Sequence, residues 1–282
     1  MVMESRLHRP SALNSELVSR LNRLDAELRQ LQNRNLSASE IVAANRDSVC
    51  FIVSSYTLAD PFAAGSAPVH YRLLATGFLV PGNKVVSNRH VLEGWFGDPH
   101  AETAMRLGAV ASRGKILAYF PTLKQPLELS HVVASGAADL AVAQIELPSG
   151  VAIPPLRLAS QTSVAGEAVL VMGYPLGVTT MLAKTTAVPY QVSALRQDEQ
   201  EADHLAQFKL IRPTATQGHL ADMNGTTLMY DATTAHGSSG GPVFNMRGEV
   251  IGVNAALING FTGTSLGVST EALRPLLETG HK

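Results

Sequence analysis

The chain has 282 residues, of which 45% are apolar, and this is enough to build one large core or two modest ones. Charged residues make up 16% and the net charge is −1, which excludes the basic surface of a nucleic-acid-binding domain. Cys50 is the only cysteine, so neither a disulfide within the chain nor a zinc knuckle built from thiolates can form.

The first residues, "MVMESRLHRPSALNSEL", lack the apolar stretch of a signal peptide. No apolar run approaches the roughly 20 residues that a membrane-spanning helix needs. We therefore expect a cytoplasmic protein without a membrane span. A periplasmic location, or a chain trimmed from a longer protein, stays open.

The first predicted element is a helix over residues 11–34. Its leucines recur at heptad spacing: Leu17, Leu21, Leu24, Leu28 and Leu31. Two interpretations stay open, an amphipathic helix packed on its own domain, or a short coiled coil that forms an oligomer or binds a regulatory partner. Ser37 and Glu40 form a capping box that predicts a second short helix. We assign residues 1–46 to this N-terminal helical extension.

From about residue 48 the chain consists of short apolar or alternating runs punctuated by Gly, Pro, Asn and Asp. About a dozen such strands predict antiparallel sandwiches or barrels. The Pro-rich stretch "LPSGVAIPPL" divides them into two groups, which we assign to domains 47–150 and 151–282. Residues 196–223 are polar and weakly patterned, so we expect long loops there. A closing helix, "TEALRPLLETG", has Thr270 as its predicted N-cap.

The stretch "HGSSGGPVFN" places Ser239 among three glycines. A serine hydroxyl is a weak nucleophile that needs a neighbouring base. The N–H groups of Gly237 and Ser239 are positioned in sequence to form an oxyanion hole, and Gly240 and Gly241 allow the chain to turn away. The alternative is an ordinary Gly-rich hairpin.

His90 and Asp139 are the candidate partners of this serine. His90 ends a strand–turn–strand pattern, and Asp139 leads directly into the apolar strand of "GAADLAVAQIEL". Each residue alone is more often structural. Their joint appearance in the order His, Asp, Ser, with the Pro-rich joint before the serine, favours a catalytic triad.

Several motifs in this order resemble the trypsin-like, chymotrypsin-fold serine peptidases, specifically the HtrA/Deg branch. They are "TGFLVPGNKVVSNRHVLEG", "DLAVAQIEL", "AGEAVLVMGYPLG", "GSSGGPVFNMRGEVIGVNAAL" and "TSLGVSTEALRPLL", and they cover about residues 48–278. The resemblance implies an all-β fold of two six-stranded antiparallel barrels with the site between them. It implies a triad of His90, Asp139 and Ser239, oxyanion donors at Gly237 and Ser239, and no metal or cofactor.

The sequence departs from the family in two places. Ser238 stands where trypsin-like zymogens carry the Asp that pairs with a freed N-terminus, so activation by N-terminal cleavage is not expected. The HtrA branch usually has Asn there. HtrA-type enzymes also usually carry a peptide-binding PDZ domain, whereas this chain ends at Lys282, so we expect that none exists or that it was removed.

The resemblance also implies which residues line the specificity pocket: Thr233, Thr234, Ala235, His236, Asn254, Ala255 and Ala256. Thr233 lies six residues before the nucleophile, where trypsins place an Asp, so basic side chains are not expected to bind. Asn254 stands where bacterial glutamyl endopeptidases carry a His for acidic side chains. We therefore expect small or medium aliphatic residues before the cleaved bond.

Three functions are compatible with these motifs. The complete His–Asp–Ser set favours a serine endopeptidase with protein or peptide substrates. A catalytically latent binding module on a peptidase fold is the second. An esterase-type acyl hydrolase is the third, but the α/β-hydrolase order of Ser, acid and His is reversed here.

Overall fold

The computed structural model describes residues 16–25, 35–59, 67–184, 198–257 and 263–278. The first of these ranges is a helix, α1, within a compact unit of residues 1–36. Three of the five heptad leucines are exposed on α1: Leu17, Leu21 and Leu24. The other two leucines and the ends of the predicted helix 11–34 lie outside the described residues.

Helix α2 (Ala38–Asn45) begins at the predicted capping box, which is confirmed. The Ser37 hydroxyl accepts the Glu40 N–H at 3.3 Å, and the Glu40 carboxylate accepts the Ser37 N–H at 2.8 Å. These two bonds satisfy backbone N–H groups that a helix start leaves unpaired. A 3-10 turn (Arg46–Ser48) then leads into the first strand.

The first barrel is an antiparallel sheet of seven strands in the order β5-β4-β1-β2-β3-β7-β6. The strands are β1 (Val49–Ala59), β2 (Val69–Val80), β3 (Lys84–Ser87), β4 (Val110–Tyr119), β5 (Leu127–Glu128), β6 (Ser130–Ala134) and β7 (Ala141–Gln144). Buried side chains from most of the strands, and from the chain just beyond them, form its core: Ile52, Leu79, Val85, Ile116, Phe120 and Ile145.

The predicted double barrel is confirmed, although the first barrel has seven strands where six were expected. The two edge strands, β5 and β6, are separated only by Leu129, whose N–H donates to Ile116 O at 2.9 Å. His131 then adopts a positive φ of 47°, and the β6–β7 register shifts beside it. One bent stretch therefore pairs with β4 at one end and with β7 at the other, and it brings the sheet back on itself.

The second barrel is closed, with strand order β10-β13-β12-β11-β8-β9 and β9 paired to β10. Its six strands are β8 (Ala168–Gly173), β9 (Thr214–Asn224), β10 (Thr227–Tyr230), β11 (Pro242–Asn245), β12 (Val250–Leu257) and β13 (Ser265–Ser269). The Pro-rich joint lies between the last strand of the first barrel and the first strand of the second.

Short helices connect the strands: α3 (Arg89–Leu92), α4 (Pro99–Arg106), α5 (Val178–Ala183), α6 (Asp198–Gln207) and the closing α7 (Thr270–Glu278). The predicted N-cap of α7 is displaced by one residue, because the Ser269 hydroxyl accepts the Glu271 N–H while Thr270 is already helical. None of the helices in the described ranges has the length and apolarity needed to cross a membrane.

The prediction of long loops over residues 196–223 is wrong. Helix α6 and most of β9 lie there. The buried face of α6 consists of Ala202, Leu205 and Ala206, so two of its three apolar residues are alanines. Such a small apolar face gives only a weak helical period in the sequence. Tertiary packing nevertheless stabilises the helix.

Candidate active site

His90 follows a tight hairpin between β2 and β3. Gly82 and Asn83 adopt positive φ angles of 83° and 55° at the turn, as the "PGN" sequence favours. Strand β3 ends at Ser87, and Asn88 is the N-cap residue of α3, where His90 lies in the first turn. This places the imidazole at the end of a barrel strand, as predicted.

Asp139 contacts His90 at two points. Its Oδ2 lies 2.7 Å from His90 Nδ1, and its Oδ1 accepts the His90 N–H at 3.0 Å. Burial opposes ionisation of this carboxyl, but the His90 ring and backbone N–H groups outweigh burial and lower the pKa of Asp139. Because an ionised carboxylate only accepts hydrogen bonds, Nδ1 donates and the neutral ring has Nε2 free to accept a proton.

Neighbouring side chains hold this pair in place. Asn88 Nδ2 donates to Asp139 O at 2.8 Å, and Arg89 Nη1 donates to Ser135 O at 3.1 Å in the preceding loop. Glu93 accepts from Arg89 at 2.8 Å and from Arg113 at 3.0 Å. Hydrogen bonds thereby connect helix α3 to the Asp139 loop, and partly buried ion pairs connect it to strand β4.

Residues 236–241 surround the predicted nucleophile Ser239, and we call them the nucleophile loop. The Ser238 N–H donates to Ala235 O at 2.9 Å, and the Gly241 N–H donates to Ser238 O at 3.0 Å. Gly237 has a φ of 93°, and a Cβ added there would collide with Tyr174 O. Glycine is therefore required at this position both by conformation and by space.

The two expected oxyanion donors of this loop have no hydrogen-bond acceptor within the described residues. Within the described residues, neither the Gly237 N–H nor the Ser239 N–H makes a hydrogen bond to the protein. His236 O accepts the Leu176 N–H at 2.7 Å. Because a trans peptide directs its C=O and N–H to opposite sides, this bond fixes the direction of the Gly237 N–H.

The Ser239 hydroxyl donates to Ala255 O at 3.1 Å. In the part of the chain that the structure describes, no hydrogen bond joins it to the His90 ring. Catalytic hydrogen bonds are often absent or long before substrate binds. Rotation about the Cα–Cβ bond moves a serine hydroxyl between three staggered positions, so the observed contact occupies one of them.

The predicted pocket residues differ in their exposure and in their hydrogen bonds. Thr233 and His236 are exposed, and Thr234 Oγ1 lies 2.9 Å from Ser265 Oγ. Asn254 is 2% exposed, and its amide is used internally: Oδ1 accepts from Tyr230 OH at 2.5 Å and Nδ2 donates to Ser238 O at 2.9 Å.

The Asn254 side chain therefore supports the nucleophile loop. Ala255 presents its carbonyl to Ser239. The side chain of Ala256 lies outside the described residues.

Three residues of the site were not predicted from the sequence: Thr76, Asn88 and Tyr230. Asn88 stands two residues before His90, and this proximity was the available signal. Tyr230 and Thr76 lie within ordinary strand patterns that carry no such signal.

Comparison with known proteins agrees with the motifs. A family model described as a trypsin-like peptidase domain matches residues 75–253. The putative serine protease HhoA of Synechocystis is 29% identical over 143 residues, which cover 50% of this chain and 30% of that protein. The mitochondrial serine protease HTRA2 of Drosophila pseudoobscura is 26% identical, covering 85% of this chain and 46% of that protein.

Solved structures show the same fold. The active form of the Rv3671c protease from M. tuberculosis aligns with a TM-score of 0.54 at 18% identity, over 87% of each chain. The chain spans between 23% and 46% of the lengths of five curated relatives. The resemblance inferred from the sequence is thus confirmed for the peptidase domain.

Proposed function

Because the chain belongs to the trypsin-like peptidase domain family, we propose that it is a serine endopeptidase whose triad is His90, Asp139 and Ser239. The observation that supports this most directly is the two-point contact of Asp139 with the His90 ring and backbone. It holds the imidazole in the tautomer that a general base needs.

In the proposed mechanism, Ser239 Oγ leaves the Ala255 carbonyl and attacks the peptide carbonyl while His90 Nε2 takes its proton. The imidazolium, stabilised by Asp139, then protonates the leaving amine, and an acyl-enzyme forms. Water, deprotonated by His90, attacks the acyl carbon, and the imidazolium returns this proton to Ser239 Oγ as the acid is released. The N–H groups of Gly237 and Ser239 stabilise the oxyanion in both steps.

Substrate preference and regulation follow from two further residues. Thr233 offers no carboxylate to a Lys or Arg side chain, so we propose cleavage after small or medium aliphatic residues. Ser238 cannot pair with a freed N-terminus, so we propose regulation by ordering of the nucleophile loop or by a partner, with the predicted helix 11–34 as the docking element.

Labelling with a fluorophosphonate probe tests the proposal. The wild-type protein should form a covalent adduct at Ser239, because the probe reacts only with an activated serine hydroxyl. Labelling should be lost in Ser239→Ala and His90→Ala. Peptide libraries would then measure the preference before the cleaved bond.

Two results would count against the proposal. A folded wild-type protein that is not labelled would instead support the latent binding module. Equal labelling of the wild type and His90→Ala would show that His90 does not activate the serine.

A further inference from the structure

A buried threonine outside the triad holds the nucleophile loop. Thr76 lies on β2 of the first barrel and has no exposed surface. Its hydroxyl donates to Gly237 O at 2.7 Å, and its backbone N–H donates to Ser239 O at 2.8 Å. One residue of the first barrel therefore holds two carbonyls of a loop that belongs to the second.

The same hydroxyl also accepts the Tyr174 N–H at 3.0 Å. Two residues further on, the Leu176 N–H donates to His236 O and so sets the direction of the Gly237 N–H. The Thr76 hydroxyl consequently joins the nucleophile loop to the turn that orients its first oxyanion donor. Both its donor and one of its acceptor positions are occupied.

The second donor is oriented in a comparable way. Ser238 O accepts from Asn254 Nδ2 at 2.9 Å and from the Gly241 N–H at 3.0 Å. Since a planar peptide couples this carbonyl to the Ser239 N–H, the latter has a fixed direction too. Between these two peptides lies the one that follows Gly237, and Thr76 fixes its carbonyl.

The packing around Thr76 leaves no room for a water molecule that could replace its hydroxyl. A Cβ added at Gly240 would collide with Thr76 O, and one added at Gly173 would lie 3.0 Å from Thr76 Oγ1. A water molecule needs free volume and several polar partners. Loss of the hydroxyl therefore leaves Gly237 O and the Tyr174 N–H unpaired.

We propose that Thr76 is a positioning residue, which holds the oxyanion donors of Gly237 and Ser239 in the direction needed for catalysis. The inference rests on the proposed peptidase function. In place of an ion pair with a freed N-terminus, a neutral hydrogen bond from the neighbouring barrel stabilises the loop. Thr76 acts through the loop backbone and does not touch the substrate.

The test compares Thr76→Val, which keeps the shape and removes the hydroxyl, with Thr76→Ser, which keeps the hydroxyl. Loss of one oxyanion donor costs about 10²–10³ in rate, so displacement of donors in Thr76→Val should lower kcat by about 10- to 100-fold. KM should change little. Thr76→Ser should recover kcat to within about threefold of the wild type, because the hydrogen bond is retained.

Two further readouts separate positioning from a general loss of structure. The affinity for a peptide boronate, which mimics the tetrahedral intermediate, should fall in Thr76→Val by the same factor as kcat/KM. The pH dependence of kcat/KM should keep its midpoint, because Asp139 and His90 are untouched. Ser55→Ala, which removes a hydroxyl bonded to Lys115 O in the same barrel, should leave kcat unchanged.

The possible failures are distinguishable. Unchanged kcat and boronate affinity in a folded Thr76→Val protein would overturn the role of Thr76 while leaving the peptidase function intact. A wild-type protein that neither cleaves peptides nor binds the boronate would overturn both. If Thr76→Val does not fold, Thr76→Ala removes the hydroxyl within a smaller side chain, and full activity in that folded variant would equally contradict the inference.

Discussion

The Asp139 carboxylate affects the stability of the fold as well as the proposed catalysis. Its pKa lies below the usual value of 3.8 because the His90 ring and backbone outweigh the effect of burial. The unfolded chain therefore takes up this proton at a higher pH than the folded one. The contribution of Asp139 to stability is full above pH 3.8 and is lost as the pH falls below it.

We expect Asp139→Asn to reduce this pH dependence and to lower kcat by about 10⁴-fold at neutral pH, since the amide no longer fixes the tautomer. Urea unfolding of both proteins between about pH 3 and 7 measures the first effect. Ser239→Ala is the matched control, because it abolishes turnover but keeps the Asp139–His90 contact. Parallel curves for the wild type and Asp139→Asn would show that this carboxylate does not contribute.

The sequence predicts the residues of the proposed triad better than those that position them. His90, Asp139 and Ser239 stand in recognisable motifs, and the structure brings the first two into contact. Thr76 could not be predicted, because its hydroxyl bonds a carbonyl 161 residues away. A contact at that separation depends on how two barrels dock, which no local pattern encodes.

At the scale of elements, several strands could be predicted from the sequence, whereas helix α6 and strand β9 could not. Strands rich in β-branched residues, such as β1 and β8, are evident from their apolar runs. Helix α6 was missed because its buried face contains two alanines. Strand β9 was missed because one of its two buried residues is Gly218, which leaves Leu220 as its only buried apolar side chain. The extra strand of the first barrel depends on the break in pairing at Leu129 and the positive φ of His131, which no sequence pattern predicts.

A buried hydroxyl of the first barrel bonds helix α6, beside an exposed ion pair between Arg72 and Glu199. Tyr119 OH donates to Asp203 Oδ1 at 2.9 Å. Tyr119→Phe should lower the free energy of unfolding by about 1 kcal/mol, the usual net contribution of one hydrogen bond, without changing kcat. Urea unfolding with a parallel activity assay checks both.

A second tyrosine provides the comparison. Tyr71 stacks on Tyr56, and its hydroxyl makes no hydrogen bond within the described ranges. Tyr71→Phe should leave stability nearly unchanged. If both tyrosine variants behave alike, the hydroxyl of Tyr119 does not hold α6.

At the scale of the whole molecule, we propose that the N-terminal unit acts in assembly or regulation. The exposed leucines of α1 lie on a helix that belongs to a separate compact unit, residues 1–36. If this unit controls assembly or activity, its deletion should lower the number of chains in the assembly or change turnover. Light scattering and a peptide assay measure the two.

Point variants test whether the effect of the deletion comes from the apolar face of α1. Leu21→Glu combined with Leu24→Glu should reproduce the effect of the deletion, because charges on the heptad positions prevent helix pairing. Arg20→Glu, on the charged side of α1, should not. A deletion variant with the same number of chains per assembly and the same turnover as the full chain would exclude a role for this unit in either property.

The bonds from Thr76 to the nucleophile loop also set the time at which activity can arise during synthesis. Contacts between residues so far apart in the chain form late in folding, after the local hairpins of each barrel. The strand that carries Thr76 leaves the ribosome long before Ser239 does. We therefore expect the nascent chain to be inert until its second barrel has closed, which protects it and its neighbours from premature cleavage.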